Sequence, residues 1–219
     1  MYKIIMKAEE FIKEMESMNV PAFTTLDVVR ITGKKEKYVS LFLSRMVGRR
    51  LLSRIEKGKY YLPGYDIYSI ASNIVYPSYI SLLSAFRYHR ITTQIITVID
   101  IISAIRHSNI KNLEEHRINF INLGASRVFG FYRDNETNAF VAHIEKAIVD
   151  SLYLQNPPYQ YIEEALNNAY KEDRLDVERM VYFAQRMDSV IVMKRLGEIS
   201  NSIGIPINKP KRLSKYEPV

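Results

Sequence analysis

Residues 23–62 constrain this chain more than any other stretch, because three short patterns follow one another there with almost nothing between them. Phe23–Gly33 reads as a short helix. Thr24 is a suitable N-cap, Asp27 three residues on supplies the other half of a capping box, and Gly33 suits a left-handed turn that ends the helix. A second helix is predicted over Lys34–Arg49, with Val39, Phe42, Leu43, Met46 and Val47 as the apolar stripe that packs inward and Lys34, Lys37, Tyr38, Leu41, Ser44 and Arg45 on the opposite face. Leu51–Leu62 then alternates around Lys57-Gly58, the pattern of a small β-hairpin. Helix, glycine turn, helix and hairpin in this order predict a winged helix-turn-helix.

Charge is concentrated in the same place. Between Arg30 and Lys59 there are ten Lys/Arg against two acids, whereas the whole chain carries a formal net charge of only +7. Up to Gly64 there are 13 basic and 7 acidic residues, and beyond it 18 and 17. A basic excess focused on one small motif is the footprint of a polyanion site, and double-stranded DNA is the first candidate. Recognition helices read base edges mainly with residues near their N-terminus, so Lys34, Lys35, Lys37, Tyr38 and Ser40 are the expected groove contacts. Arg45 lies further along and is expected to meet a phosphate. Lys57 and Lys59 on the hairpin would reach neighbouring backbone or minor groove, and Thr24 and Thr25 would donate to phosphate from a helix start. Lysines suit phosphates better than bidentate base recognition, and the first turns hold no Asn, Gln or Arg. The competing readings of this face are a merely solvated charge run and a protein-docking module.

The remaining composition narrows the function classes. With 219 residues, 47% hydrophobic and 25% charged, the chain has the make-up of an ordinary globular protein with room for two modest domains. No apolar run approaches the roughly 18–20 residues of a membrane helix, and the opening residues do not resemble a signal peptide. A cytoplasmic protein that does not engage a membrane is expected. There is no cysteine, and His89, His107, His116 and His143 lack the i, i+4 spacing of a helical metal site. Neither a metal nor another cofactor is expected.

Along the chain, a first helix is predicted near Lys3–Met18, and Pro63-Gly64 marks a domain boundary. The fold class is therefore α+β: a winged helix-turn-helix domain over 1–64, a mixed α/β domain with a helical C-terminal part over 65–205, and a flexible basic tail over 206–219. In the second domain Asp66 caps a short helix, and Pro77 is placed at the start of another that runs through Phe86. Strands are predicted at about 95–102, 117–123, 127–133 and 138–142, the last two joined by the turn 134–137. Helices are predicted over 144–154, 159–171, 175–186 and 189–201.

Three segments in this order resemble the AbiEi-type antitoxins, transcriptional regulators of type IV toxin–antitoxin systems. They are Leu41-Phe42-Leu43-Ser44-Arg45-Met46-Val47-Gly48-Arg49-Arg50-Leu51-Leu52 running into Arg54–Leu62, then Ile70-Ala71-Ser72 leading to Pro77–His89, and Glu145-Lys146-Ala147-Ile148-Val149-Asp150-Ser151-Leu152-Tyr153. The likeness covers roughly residues 20 to 203. It implies a repressor of its own operon that binds inverted repeats in the promoter, a geometry suited to a homodimer. It also implies antagonism of a nucleotidyltransferase-like toxin without a stable toxin complex. The alternative is a solitary winged-helix regulator whose second domain binds a small ligand or a protein partner.

The second-domain motifs point to architecture before chemistry. Ser78, Tyr79, Ser81 and Ser84 make a hydroxyl-rich stretch, best explained by serines bonded to backbone carbonyls. Lys146 and Asp150 stand four apart on one helix, a pair worth about 0.3 kcal/mol if exposed, and are expected to stabilise the helix or bridge the domains. His143 precedes that helix and is expected to satisfy a backbone group. Leu123-Gly124-Ala125-Ser126 faintly resembles the start of a nucleotidyltransferase site, but no paired Asp-x-Asp follows to hold Mg²⁺. Phosphate-loop, Gly-x-Ser-x-Gly and HExxH patterns are absent, so no enzyme is expected.

Overall fold

A computed structural model describes residues 7–207. Among them the chain is α+β and divides into two compact units. The first takes in the chain up to Ile74 together with Asp134–Ala139, and the second comprises Val75–Arg133 and the chain from Phe140 onward.

The first unit runs α1 (Ala8–Ser17), β1 (Ala22–Thr24), α2 (Thr25–Thr32), α3 (Glu36–Gly48), β2 (Ser53–Glu56), β3 (Lys59–Tyr61) and α4 (Ile67–Ser72). Local chemistry sets the boundaries. Thr24 and Asp27 form the reciprocal capping box, and Gly33 ends α2 at φ 64°, in the left-handed region a side chain would disfavour. Asp66 accepts from the backbone N–H of Tyr68 and Ser69 and so starts α4. Three strands form an antiparallel sheet in the order β1-β3-β2. The sequence reading ran β1 into the following helix; Ala22–Thr24 instead pairs with Lys59–Tyr61, a non-local partner no local pattern reveals. The core gathers Phe11 and Met15 of α1, Phe23, Val28 of α2, Val39, Leu43 and Met46 of α3, and Leu52, Tyr60 and Leu62. Phe11 packs edge-on against Phe23 and Phe42, which clamps α1 onto β1 and α3. The first part of the predicted helix 3–18, with Ile4 and Ile5, lies outside the described residues, as does the tail beyond Ile207.

The division does not fall at Pro63-Gly64. α4 packs against β1 within the first unit, and the 134–139 turn joins it there because Ser69 Oγ donates to Thr137 O and Asn73 Nδ2 donates to Asn138 O at 3.0 Å. That turn closes on itself through Asp134 Oδ1, which accepts from the N–H of Glu136 and Thr137.

In the second unit follow β4 (Ser78–Ile80), α5 (Leu82–Tyr88), β5 (Val98–Ser103), β6 (Ile110–Leu113), β7 (His116–Asn122), a 3₁₀ turn at Ala125–Arg127, β8 (Phe131–Arg133) and β9 (Phe140–Ala142). Four helices complete it: α6 (Ile144–Leu154), α7 (Tyr159–Lys171), α8 (Val177–Arg186) and α9 (Val190–Ser202). Six strands form one mixed sheet in the order β6-β7-β5-β4-β9-β8. Pro77 therefore does not open a helix. The three residues after it are a strand paired antiparallel with β5 and parallel with β9, and the helix waits until Leu82. Full burial of Ser78, Tyr79 and Ile80 inside the sheet outweighs the helical prior set by proline. β6 escaped the sequence reading because Ile110-Lys111-Asn112-Leu113 is an edge strand with an exposed polar middle. α6 is the hub of the helical part, in contact with α5, α7, α8 and α9. Its residues Ile144–Leu152 are all buried, the three charged ones included.

Candidate nucleic-acid interface

A helix advances about 100° per residue, so α3 sorts its side chains into two opposed faces. Val39, Leu43 and Met46 are buried and fix which side meets the core. Lys37, Tyr38, Leu41, Ser44 and Arg45 are all exposed on the opposite side. Leu41, 52% exposed, is the centre of that face. Its i−4, i−3, i+3 and i+4 neighbours are the other four residues, so a nonpolar side chain is ringed by two cations and two hydroxyls. Lys35 is exposed at the N-cap of the same helix, and Arg49 is exposed just beyond its end. The one acid of α3, Glu36, lies about 140° around the helix from Leu41 and leaves this face positive.

The β2–β3 hairpin adds a second cationic point. Lys57 is exposed at its turn, where Gly58 adopts φ 79°. Lys59 lies 3.0 Å from Glu56 across the same turn, so part of its charge is met within the hairpin. Thr24 and Thr25 have other work. The Thr24 hydroxyl donates to Asp27 Oδ2 at 2.6 Å and accepts from the Asp27 N–H at 3.1 Å. Thr25 is buried, with its N–H 2.9 Å and its hydroxyl 3.5 Å from Gly58 O. Their hydroxyls start α2 and tie it to the hairpin turn, which leaves neither available as the phosphate donor expected from sequence.

Of the residues singled out by sequence, Lys35, Lys37, Tyr38, Arg45 and Lys57 share the exposed surface of this unit, while Lys34, Ser40 and Lys59 are half-buried. The sequence reading put Leu41 and Ser44 on the outer face but assigned them no contact. Their spacing from Lys37 and Arg45 was the signal for a role.

The second unit holds its charges inside. Lys146 and Asp150 form an ion pair with both side chains fully buried, where the sequence had suggested a helix-stabilising or interdomain bridge. Asp150 Oδ2 also accepts from Ser81 Oγ at 2.9 Å and from the Tyr79 hydroxyl at 3.1 Å. The Lys146 ammonium stands 4.4 Å from the centroid of the Phe129 ring and 3.4 Å from Met187 Sδ. Burial holds the Lys146 ammonium below its ordinary range, and it pushes the Asp150 carboxyl and the Tyr79 hydroxyl up. Next to this pair, the fully buried Glu145 accepts from Arg179 Nη2 at 2.9 Å and from the Asp176 N–H at 2.8 Å. The hydroxyl-rich stretch is thus split: Ser81 and Tyr79 serve a carboxylate, Ser78 bonds Val75 O, and Ser84 bonds Val98 O.

A cavity of about 350 Å³ is lined by Leu152, Tyr159, Ile162, Arg195 and Glu198 among others. Its charged groups are engaged: Arg195 donates to Leu152 O at 2.7 Å, at the end of α6, and Glu198 lies 3.8 Å from Lys194. Among the described residues, no three His, Asp or Glu converge as a metal site, and no helix is long and apolar enough to cross a membrane. Compared with known proteins, the chain matches no family model and no curated sequence.

Proposed function

We propose that the chain is a DNA-binding transcriptional regulator whose first unit is a winged helix-turn-helix, with α3 as the recognition helix and the β2–β3 hairpin as the wing. The observation that carries this reading is the outer face of α3: Lys37 and Arg45 flank Leu41, Lys35 stands at the helix start, and the core-facing residues lie opposite. The order α1-β1-α2-α3-β2-β3 and the left-handed Gly33 turn between α2 and α3 support it. Lys57 at the hairpin turn is placed for a neighbouring phosphate. No catalytic role belongs to this reading.

The likeness to AbiEi-type antitoxins extends the proposal. The protein represses its own operon, as a homodimer on inverted repeats, and its second unit counteracts a nucleotidyltransferase-like toxin encoded nearby. The segment of that likeness in the second unit, Glu145–Tyr153, forms most of α6, and its charged side chains are buried. They hold the unit together, and any contact that opposes a toxin belongs to other, exposed residues.

The test is a gel shift with the gene's own upstream DNA against a scrambled duplex, at about 150 mM salt. Retention of the upstream fragment alone, lost in the joint variant Lys35→Ala and Lys37→Ala, is the expected result. Equal retention of both fragments would reduce the protein to a nonspecific basic module. Co-expression with a neighbouring nucleotidyltransferase-like gene, scored as rescue of growth, tests the antitoxin half separately.

A further inference from the structure

The outer face of α3 carries a chemical signature beyond its charge. Direct readout in the major groove depends on what side chains offer: Arg or Lys to guanine, Asn or Gln to adenine, and a nonpolar group to the thymine methyl. The centre of this face is none of the polar readers. It is Leu41, 52% exposed, with Tyr38, 37% exposed, one turn before it. Its cationic neighbours Lys37 and Arg45 lie a turn to either side along the helix, spaced to straddle a groove and meet phosphates. A nonpolar centre within a positive rim is complementary to a duplex that presents methyl groups in its major groove and phosphates along both edges.

We propose that Leu41 reads thymine methyl groups, so that the preferred site is duplex DNA with thymine at the base pairs beneath the middle of α3. This rests on the DNA-binding reading above and adds its base preference. Lys37 and Arg45 supply affinity without sequence information, and Ser44 adds a hydroxyl compatible with several bases. Specificity then comes from a nonpolar contact and not from a bidentate hydrogen bond.

The experiment selects the tightest duplex for the full chain from a randomised pool, then synthesises that duplex with thymine and with deoxyuridine, which lacks only the methyl group. Binding is read by fluorescence anisotropy. The expected result is selected sites rich in thymine at fixed positions, with the deoxyuridine duplex bound about fourfold more weakly for each methyl contacted. In Leu41→Ala the difference between the two duplexes disappears, while a thermal melt shows the exposed position leaves folding intact. Equal binding of the two duplexes by the unaltered protein would overturn the inference and leave the DNA-binding reading standing. A deoxyuridine penalty that persists in Leu41→Ala would overturn it too, because another residue would then read the methyl. Failure to recover any duplex from the pool would overturn both.

Discussion

Helices α3 and α6 each carry three charged residues, Glu36, Lys37 and Arg45 in one and Glu145, Lys146 and Asp150 in the other. In α3 all three are exposed; in α6 all three are buried. The surroundings decide. α3 has a single apolar stripe, so its charges fall on the remaining arc and face water. α6 is packed among α5, α7, α8 and α9, so even the arc opposite Ile144, Ile148 and Leu152 is covered and its charges have no surface to reach. They are tolerated because each meets a partner: Lys146 meets Asp150, Asp150 meets Ser81 and Tyr79, and Glu145 meets Arg179. Charge on α3 is therefore available to a ligand, whereas charge on α6 is part of the core.

The strongest way to break this comparison is to remove one charge from each helix. Asp150→Ala strands a buried ammonium and two hydroxyls, and should lower stability by about 3–5 kcal/mol in a urea melt. Replacing both partners with nonpolar residues, Lys146→Met with Asp150→Leu, should cost far less, since no charge is left unpaired. Lys37→Ala should stay within about 0.5 kcal/mol of the unaltered protein and show its effect in DNA binding alone. An Asp150→Ala loss below about 1 kcal/mol would mean the pair is hydrated in solution. At the next level, Thr24→Ala removes the capping box of α2 and should cost about 1 kcal/mol of stability. If it instead weakened DNA binding with no change in the melt, the threonine would be a phosphate contact after all.

The smallest effect concerns pH. Burial, then the nearby Arg179 charge, holds the His143 imidazole below its ordinary value of 6.5, with Glu145 pulling the other way. The unfolded chain then takes up this proton at a pH where the folded chain does not. The contribution of His143 to stability is complete above pH 6.5 and declines as pH falls below it. Melts of His143→Gln and the unaltered protein from pH 5 to 8 should differ in slope on the acid side. Parallel curves would show that the imidazole titrates as it would in water.

Much of the first unit was legible because its signals are local. Thr24, Asp27 and Gly33 announce α2 by capping chemistry, and Lys57-Gly58 announces the hairpin. The helices α6 and α7 likewise have the limits their periodicity predicts. Long-range pairing was not legible. β1 and β4 are three residues each and exist because of strands far along the chain, and Pro77 gave a local signal that the sheet overrode. The site was legible as a charged face with Leu41 on it, but the role of that nonpolar centre was not. The spacing of α3 already puts Leu41 opposite Val39, Leu43 and Met46, and their burial agrees with that placement, but nothing in the sequence marks a nonpolar side chain there as a contact. Burial of the Lys146–Asp150 pair was not legible, because both lie on the arc of α6 opposite Ile144, Ile148 and Leu152, and only packing by α5, α7, α8 and α9 covers that arc.

Salt dependence of DNA affinity tests the central claim most directly, because only charge exposed as on α3 and the hairpin can displace counterions from a duplex. If about six Lys/Arg meet phosphates, log K against log salt should fall with a slope near −5. In the triple variant Lys35→Ala, Lys37→Ala, Arg45→Ala the slope should become shallower by about three, with melting unchanged. A slope near zero for the unaltered protein, or an unchanged slope in the triple variant, would contradict the account.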